Sequence, residues 1–158
     1  MKIGILSDSH DNMPAITSAV GMFNDAEVDL VIHGGDLISP FVSKPLKHLK
    51  APFVAVFGNN DGERLGLSNI FHNQIFRAPH SLTFADKKIC ILHEPDNLKP
   101  LVNSGDFDAI IYGHTHEIDI QKGRTLVINP GESCGWLSGN RTAVIWDIAK
   151  GRVDVIYI

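Results

Sequence analysis

Apolar and polar positions alternate in blocks along the chain. Ile3, Ile5 and Leu6 form a short apolar run that stops at Asp8-Ser9-His10, the pattern of a buried strand ending in a polar turn. From Pro14 to about Ala26, Ile16, Ala19, Val20 and Phe23 recur at helical spacing, and proline suits the first turn. Val28 to His33 is a second strand, ending in Gly34-Gly35-Asp36. Pro40 to Leu49 reads as a helix with Phe41, Val42, Pro45, Leu46 and Leu49 facing inward. Pro52 to Phe57 is a third strand, ending in Gly58-Asn59-Asn60-Asp61-Gly62, and a less regular, partly helical stretch follows to about His72.

Beyond this point strands follow strands. Ser81 to Ala85 and Lys88 to His93 flank a tight Asp86-Lys87 turn, and Pro95 to Ser104 suits a short helix. Ala109 to Tyr112 is a strand ending in Gly113-His114-Thr115-His116. Ile118 to Gln121 and Thr125 to Ile128 form a hairpin around Lys122-Gly123-Arg124. Asn129 to Ser133 is a loop, its Asn129-Pro130-Gly131 a structural turn. Thr142 to Ile148 and Arg152 to Ile158 pair around Lys150-Gly151.

The alternating first half predicts a parallel sheet, and the strand-rich second half predicts antiparallel additions. The expected fold class is α/β: two mixed β-sheets packed face to face with flanking helices, an αββα sandwich. No repeat or linker divides the chain, so residues 1–158 are expected to form one domain.

Composition narrows the function. The chain has 158 residues, 44% of them hydrophobic and 20% charged, enough for a substantial core. A net charge of −4 without a dense Lys/Arg run argues against specific nucleic-acid binding. No apolar stretch is long enough to span a membrane, and the first residues enter a strand with no signal-peptide pattern. Cys90 sits in an apolar run and Cys134 in a glycine-rich loop. They do not make a disulfide framework, and a cytoplasmic location is expected.

The strand ends carry the candidate chemistry. If the strands lie side by side with their ends on one rim, that rim pools Asp8, His10, Asp36, Asn59, His93, His114 and His116. Two carboxylates, an amide and four imidazoles are too polar for a core and too many for one ion. Mixed nitrogen and oxygen donors suit manganese, iron, cobalt, nickel or zinc rather than magnesium or calcium. The glycines preceding Asp36, Asn59 and His114 let the backbone turn and approach an ion or substrate closely.

Asp-x-His, Gly-Asp, Gly-Asn and Gly-His-x-His, in this order, resemble the calcineurin-like metallophosphoesterase family across nearly the whole chain. Gly58-Asn59-Asn60-Asp61-Gly62 and Val127-Ile128-Asn129-Pro130-Gly131 resemble its small single-domain phosphodiesterase branch. The resemblance implies two divalent transition-metal ions, with manganese preferred. One is held by Asp8, His10 and His116, the other by Asn59, His93 and His114, with Asp36 bridging. It further implies a water shared between the ions, deprotonated to hydroxide, that attacks phosphorus. The implied catalytic residues are Asp36, Asn59 and Asn60.

Two positions depart from the family pattern. Asn60 stands where many members carry a proton-donating histidine, and an amide cannot act as an acid near neutral pH. Glu94-Pro95 follows His93 where glycine is common.

The remaining polar residues have plainer expectations. His33 is a hydrogen-bonded core histidine, and His48, His72 and His80 belong on the surface. Arg64 either meets a substrate phosphate or, as the preferred reading, is solvated on a helix, and Phe41, Phe53 and Phe57 belong to the core. Asp11 and Asp61 serve either ligating histidines or local turns.

The expected function is a dinuclear-metal phosphodiesterase acting on a small-molecule or nucleotide-like phosphate ester. The alternatives are a phosphomonoesterase acting on a nucleotide or phosphoprotein, and a non-catalytic scaffold of the same fold. A homodimer is the commonest association for such a chain.

Overall fold

A computed structural model describes residues 1–158. The first half alternates as its pattern predicts: β1 (Lys2–Leu6), α1 (Met13–Asp25), β2 (Leu30–His33), α2 (Ser43–Leu46), β3 (Phe53–Val56), α3 (Arg64–Phe71) and β4 (Ile75–Phe76). The second half supplies β5 (His80–Phe84), β6 (Lys87–Ile91), α4 (Leu98–Ser104), β7 (Ala109–Ile111), β8 (Ile118–Gln121), β9 (Leu126–Pro130), β10 (Thr142–Asp147) and β11 (Arg152–Tyr157).

The strands form two mixed sheets, ordered β11-β10-β1-β2-β3-β4 and β5-β6-β7-β9-β8. In the first, β1 to β4 run parallel, with Ile3 opposite Leu30 and His33 opposite Ala55, while β10 joins β1 antiparallel and carries β11. In the second, β6, β7 and β9 run parallel, with antiparallel β5 and β8 on the edges.

Strand alternation creates three apolar layers. Ile3, Ile5, Leu30, Ile32 and Val56 of the first sheet meet Ile89, Ile91, Ala109, Ile111 and Ile128 of the second. The opposite face of the first sheet offers Leu6, Val31 and Ala55 to Ile16, Val20 and Phe23 of α1 and to Leu67 and Phe71 of α3. The outer face of the second sheet packs Cys90, Ile110 and Val127 against Leu98, Leu101 and Val102 of α4. Each fully buried side chain of this size contributes about 1.5–3 kcal/mol, so the αββα sandwich is set by its aliphatic layers. No helix is long and apolar enough to cross a membrane.

Several elements differ from their sequence reading. The segment from Pro40 is a 3-10 turn, Pro40–Val42, followed by the short α2, not one helix. The break turns Phe41 out to 63% exposure, where Lys44 lies over its ring, so Phe41 is not a core residue. Phe57 is only half-buried. The β5–β6 turn centres one residue early, on Ala85 and Asp86, both at positive φ, the conformation that matches hairpin twist. The Pro95 segment likewise opens as a 3-10 turn before α4. His80 is half-buried and stacks on Phe76, with ring centroids 3.8 Å apart.

Candidate metal centre

The C-terminal ends of β1, β2, β3, β6 and β7 converge on one rim between the sheets. Asp8 and His10 follow β1, Asp36 follows β2, Asn59 and Asn60 follow β3, His93 follows β6, and His114 and His116 follow β7. All seven residues expected as metal ligands meet here. They form two groups that share Asp36.

In the first group, Asp8 Oδ1 lies 3.4 Å from His116 Nε2 and 4.0 Å from His10 Nε2. In the second, Asn59 Oδ1 lies 2.8 Å from His93 Nε2 and 2.9 Å from His114 Nδ1. Asp36 Oδ2 lies 3.4 Å from both His10 Nε2 and His93 Nε2, so one carboxylate oxygen faces both groups.

Tight backbone geometry brings them together. Asp8, His10, Asp36, His114 and His116 all have positive φ. For residues other than glycine this costs on the order of 1–2 kcal/mol each, and such strain collects at functional sites. Hydrogen bonds between loops hold it: Asp8 N donates to Gly35 O (3.0 Å), His10 N to Asp36 O (3.1 Å) and Gly113 N to His93 O (3.1 Å). His114 N donates to the Asp8 carboxylate.

The glycines ahead of the ligands are required by close approach. A Cβ on Gly58 would overlap the Asp36 carboxylate. One on Gly113 would overlap Ser7 and the Asp8 carboxylate, and one on Gly35 would meet the His93 ring.

The donor chemistry fits a cation. His93 Nδ1 donates to Gly34 O at 2.8 Å, so in the neutral ring Nε2 is an acceptor. Yet Nε2 faces two further acceptors, Asn59 Oδ1 and Asp36 Oδ2. Acceptors converging on acceptors need a positive charge between them. A proton or a bound cation can supply that charge. Burial alone would lower the His93 pKa, but the Asp36 carboxylate outweighs it and holds the imidazole above its usual value. Burial would raise Asp36, but hydrogen bonds from His93 and Asn60 hold it below the carboxylate range. Burial dominates at Asp8 and raises it. His10 Nε2 is buried without a hydrogen-bond partner. One divalent ion in each group would satisfy these atoms.

Other residues brace the rim. Asn60 donates to Asp36 twice, from its backbone N (2.8 Å) and its side-chain Nδ2 (2.7 Å). Asp61 touches no histidine. Its carboxylate accepts the backbone N–H groups of Asp36, Ile38 and Gly58, which joins the β2 and β3 loops. Asp11 accepts from Ser39. Arg64 is tied down rather than merely solvated: Nη2 reaches Gly58 O at 2.8 Å, and the guanidinium lies over Phe57. His33 is buried as expected, accepting from Gly35 N and bonded to Ser9 Oγ. Burial, aided by repulsion from His93, pushes it down to about 3.

Glu132 escaped the sequence reading. It lies just beyond β9, another strand parallel to β7, and is fully buried. Its carboxylate accepts from His116 Nδ1 (2.9 Å), Cys134 Sγ (3.0 Å) and the backbone N–H groups of Leu137 and Ser138. Burial would raise it, but these donors hold it at about 2. The available signal was a sixth apolar run, Val127-Ile128, ending in a polar rim segment.

This arrangement recurs in known proteins. Residues 1–151 match the model of the calcineurin-like phosphoesterase superfamily domain. Phosphodiesterase MJ0936 of Methanocaldococcus jannaschii is 44% identical over 157 residues, which cover 95% of either chain. A solved archaeal phosphodiesterase superposes over the full length of both chains with a TM-score of 0.93 and 42% identity. Vps29 of Entamoeba histolytica, solved with zinc, superposes with a TM-score of 0.73 over all of this chain and 98% of its own, and at 17% identity shares the fold alone. With strand-end motifs, sheet order and family match in agreement, the chain belongs to the calcineurin-like phosphoesterase superfamily.

Proposed function

We propose that this protein is a metal-dependent phosphodiesterase whose rim cluster binds two divalent transition-metal ions. One observation carries the reading: Asp36 Oδ2 stands 3.4 Å from an imidazole nitrogen of each group, as a carboxylate shared by two cations must. Asp8, His10 and His116 would hold one ion, Asn59, His93 and His114 the other, and Asp36 both. When bound, the pair supplies polarisation of the phosphoryl group and activation of the attacking water.

The chain's own residues do the rest. Asp36 offsets the repulsion between two cations, which grows steeply as they approach. Asn60 fixes the carboxylate's orientation with both of its donors. It has no proton to give a leaving group, and His33, buried and bonded at both ring nitrogens, cannot reach one. A leaving group that needs little protonation suits this site, which favours diesters over alkyl monoesters. Asn59, Asn60 and His114 are exposed, so the rim opens to solvent and admits a small-molecule or nucleotide-like ester. Mixed nitrogen and oxygen donors suit manganese, nickel, cobalt, iron or zinc, and the family resemblance favours manganese among them. Two free, buried cysteines suit a reducing cytoplasm.

The test is turnover of an aryl phosphodiester beside an aryl phosphomonoester. Protein stripped of metal should be inactive and should recover with manganese, nickel or cobalt, with the diester preferred. Full activity after stripping defeats the metal reading. Preference for the monoester makes the protein a monoesterase, and no turnover of either ester by loaded protein makes it a scaffold.

A further inference from the structure

We propose that Glu132 is the positioning residue for His116: its carboxylate holds the Nδ1–H and turns a proton-free Nε2 toward Asp8. The inference rests on the reading of His116 as a metal ligand.

A neutral imidazole carries one proton, on either nitrogen, and only the bare nitrogen can bind a cation. Nothing intrinsic to His116 makes that choice. Glu132 does, because an ionised carboxylate accepts and cannot donate. Its oxygen lies 2.9 Å from Nδ1, so Nδ1 bears the proton. Nε2 is left bare, 3.4 Å from Asp8 Oδ1.

Glu132 is itself immobile. It is 1% exposed, and four donors converge on its two oxygens. Oε1 takes the N–H groups of Leu137 and Ser138, and Oε2 takes His116 and Cys134, with the Leu137 N–H shared between the two oxygens. The loop donating these bonds is anchored elsewhere too. Asn12, whose Oδ1 caps α1, donates Nδ2 to Cys134 O at 2.8 Å, and Cys134 N donates to Asp8 O. The orienting carboxylate and the carboxylate facing Nε2 therefore sit in one hydrogen-bonded frame.

Glu132→Gln makes the idea testable because the amide has only one direction to turn. Two backbone N–H groups require its oxygen on the Leu137 and Ser138 side. The NH₂ must then face His116, whose Nδ1 becomes the acceptor, and the proton moves to Nε2, the atom that should be bare.

The first readout is the tautomer of the neutral His116 ring in metal-free protein, from long-range proton–nitrogen NMR at a pH where the imidazole is uncharged. Wild type should show a protonated Nδ1 and a bare Nε2, and Glu132→Gln the reverse. The second is manganese binding by titration calorimetry. One of the two equivalents should weaken about 10–100-fold in Glu132→Gln, the scale for partners that orient a ligating histidine, and the other should hold. Cys134→Ser, which alters another donor on the same carboxylate, should leave tautomer and affinity unchanged.

A wild-type His116 protonated on Nε2 overturns the proposal without any variant. So does a Glu132→Gln protein with wild-type manganese affinity, or a Cys134→Ser protein with the same losses as Glu132→Gln. A wild type that binds no manganese defeats the metal reading itself, whereas the opposite tautomer defeats only the role of Glu132.

Discussion

On the Asp8 side of the rim, the protein leaves little to adjust. Asp8 is fully buried, its carboxylate takes the His114 N–H, and His116 is fixed at Nδ1 by Glu132. On the Asn59 side, Asn59 and His114 are exposed, and Asn59 Oδ1 is met only by the two imidazoles. His93 is the one buried anchor there, through Gly34 O. One half of the centre is set in advance by buried partners, and the other is completed by whatever cation it receives. Order in the absence of an ion lowers the cost of binding one, so the Asp8 side should fill first and the Asn59 side second.

Asp36 belongs to both halves, and its loss should be the largest effect. Asp36→Asn should cost at least about 10²–10³-fold in kcat, the scale for removing one preorganised electrostatic group. Its metal content should fall below two per chain by elemental analysis. A fully loaded and active variant would show that the halves do not share Asp36.

Asn60 tests the open side. Wild-type rates across diesters of graded leaving-group pKa should fall steeply with basicity. Asn60→His should rescue the poorest leaving groups by up to about 10²-fold, the low end of general-acid catalysis, and aryl esters less. A shallow wild-type slope would mean that a proton donor is already present.

Stepwise manganese binding probes the comparison directly. Two steps separated by about tenfold or more are expected, given the 10-fold and larger effects of ligand orientation. His114→Ala should abolish the weaker step and spare the tighter one. Loss of the tighter step would invert the ranking of the two halves.

The smallest effect concerns the brace beneath them. Asp61→Ala strands three backbone donors, at about 1–3 kcal/mol for a buried group left unpaired. Thermal unfolding should shift down by about 2–4 °C for each kcal/mol lost. An unchanged melting temperature would mean that water replaces the carboxylate.

The sheets, and the convergence of the expected ligands on one rim, were legible in the sequence because each uses a local signal. Apolar runs mark the strands, and each parallel strand delivers its polar residues at the same end. What was hidden depends on distance. Ile75–Phe76 is too short to carry a period, yet it pairs with Ala55 and Val56 at the sheet edge. Phe41 has helical spacing to Pro45, but the 3-10 turn rotates it outward. Glu132 follows Asn-Pro-Gly, which signals a turn, and its meaning appears only when β9 is laid beside β7. Asp61 resembles a turn residue and is one, except that the turns it holds carry Asp36 and Asn59.

The place of β1 also sets the order in which the molecule can be made. One neighbour, β2, begins at Leu30, and the other, β10, begins at Thr142. A chain emerging from the ribosome can pair β1, β2 and β3 early. The second edge of β1 stays open until the last strands arrive, and an open edge invites pairing with another chain. The carbonyls of Ser7 and Asp8 wait in the same way for Ser133 and Cys134. Asp8 and Asp36 therefore stand on a nascent sheet well before His114, His116 and Glu132 exist to complete their surroundings. On the proposed ligand set, metal acquisition would be a late event in biogenesis, and a substitution in β10 would delay it without touching a proposed ligand.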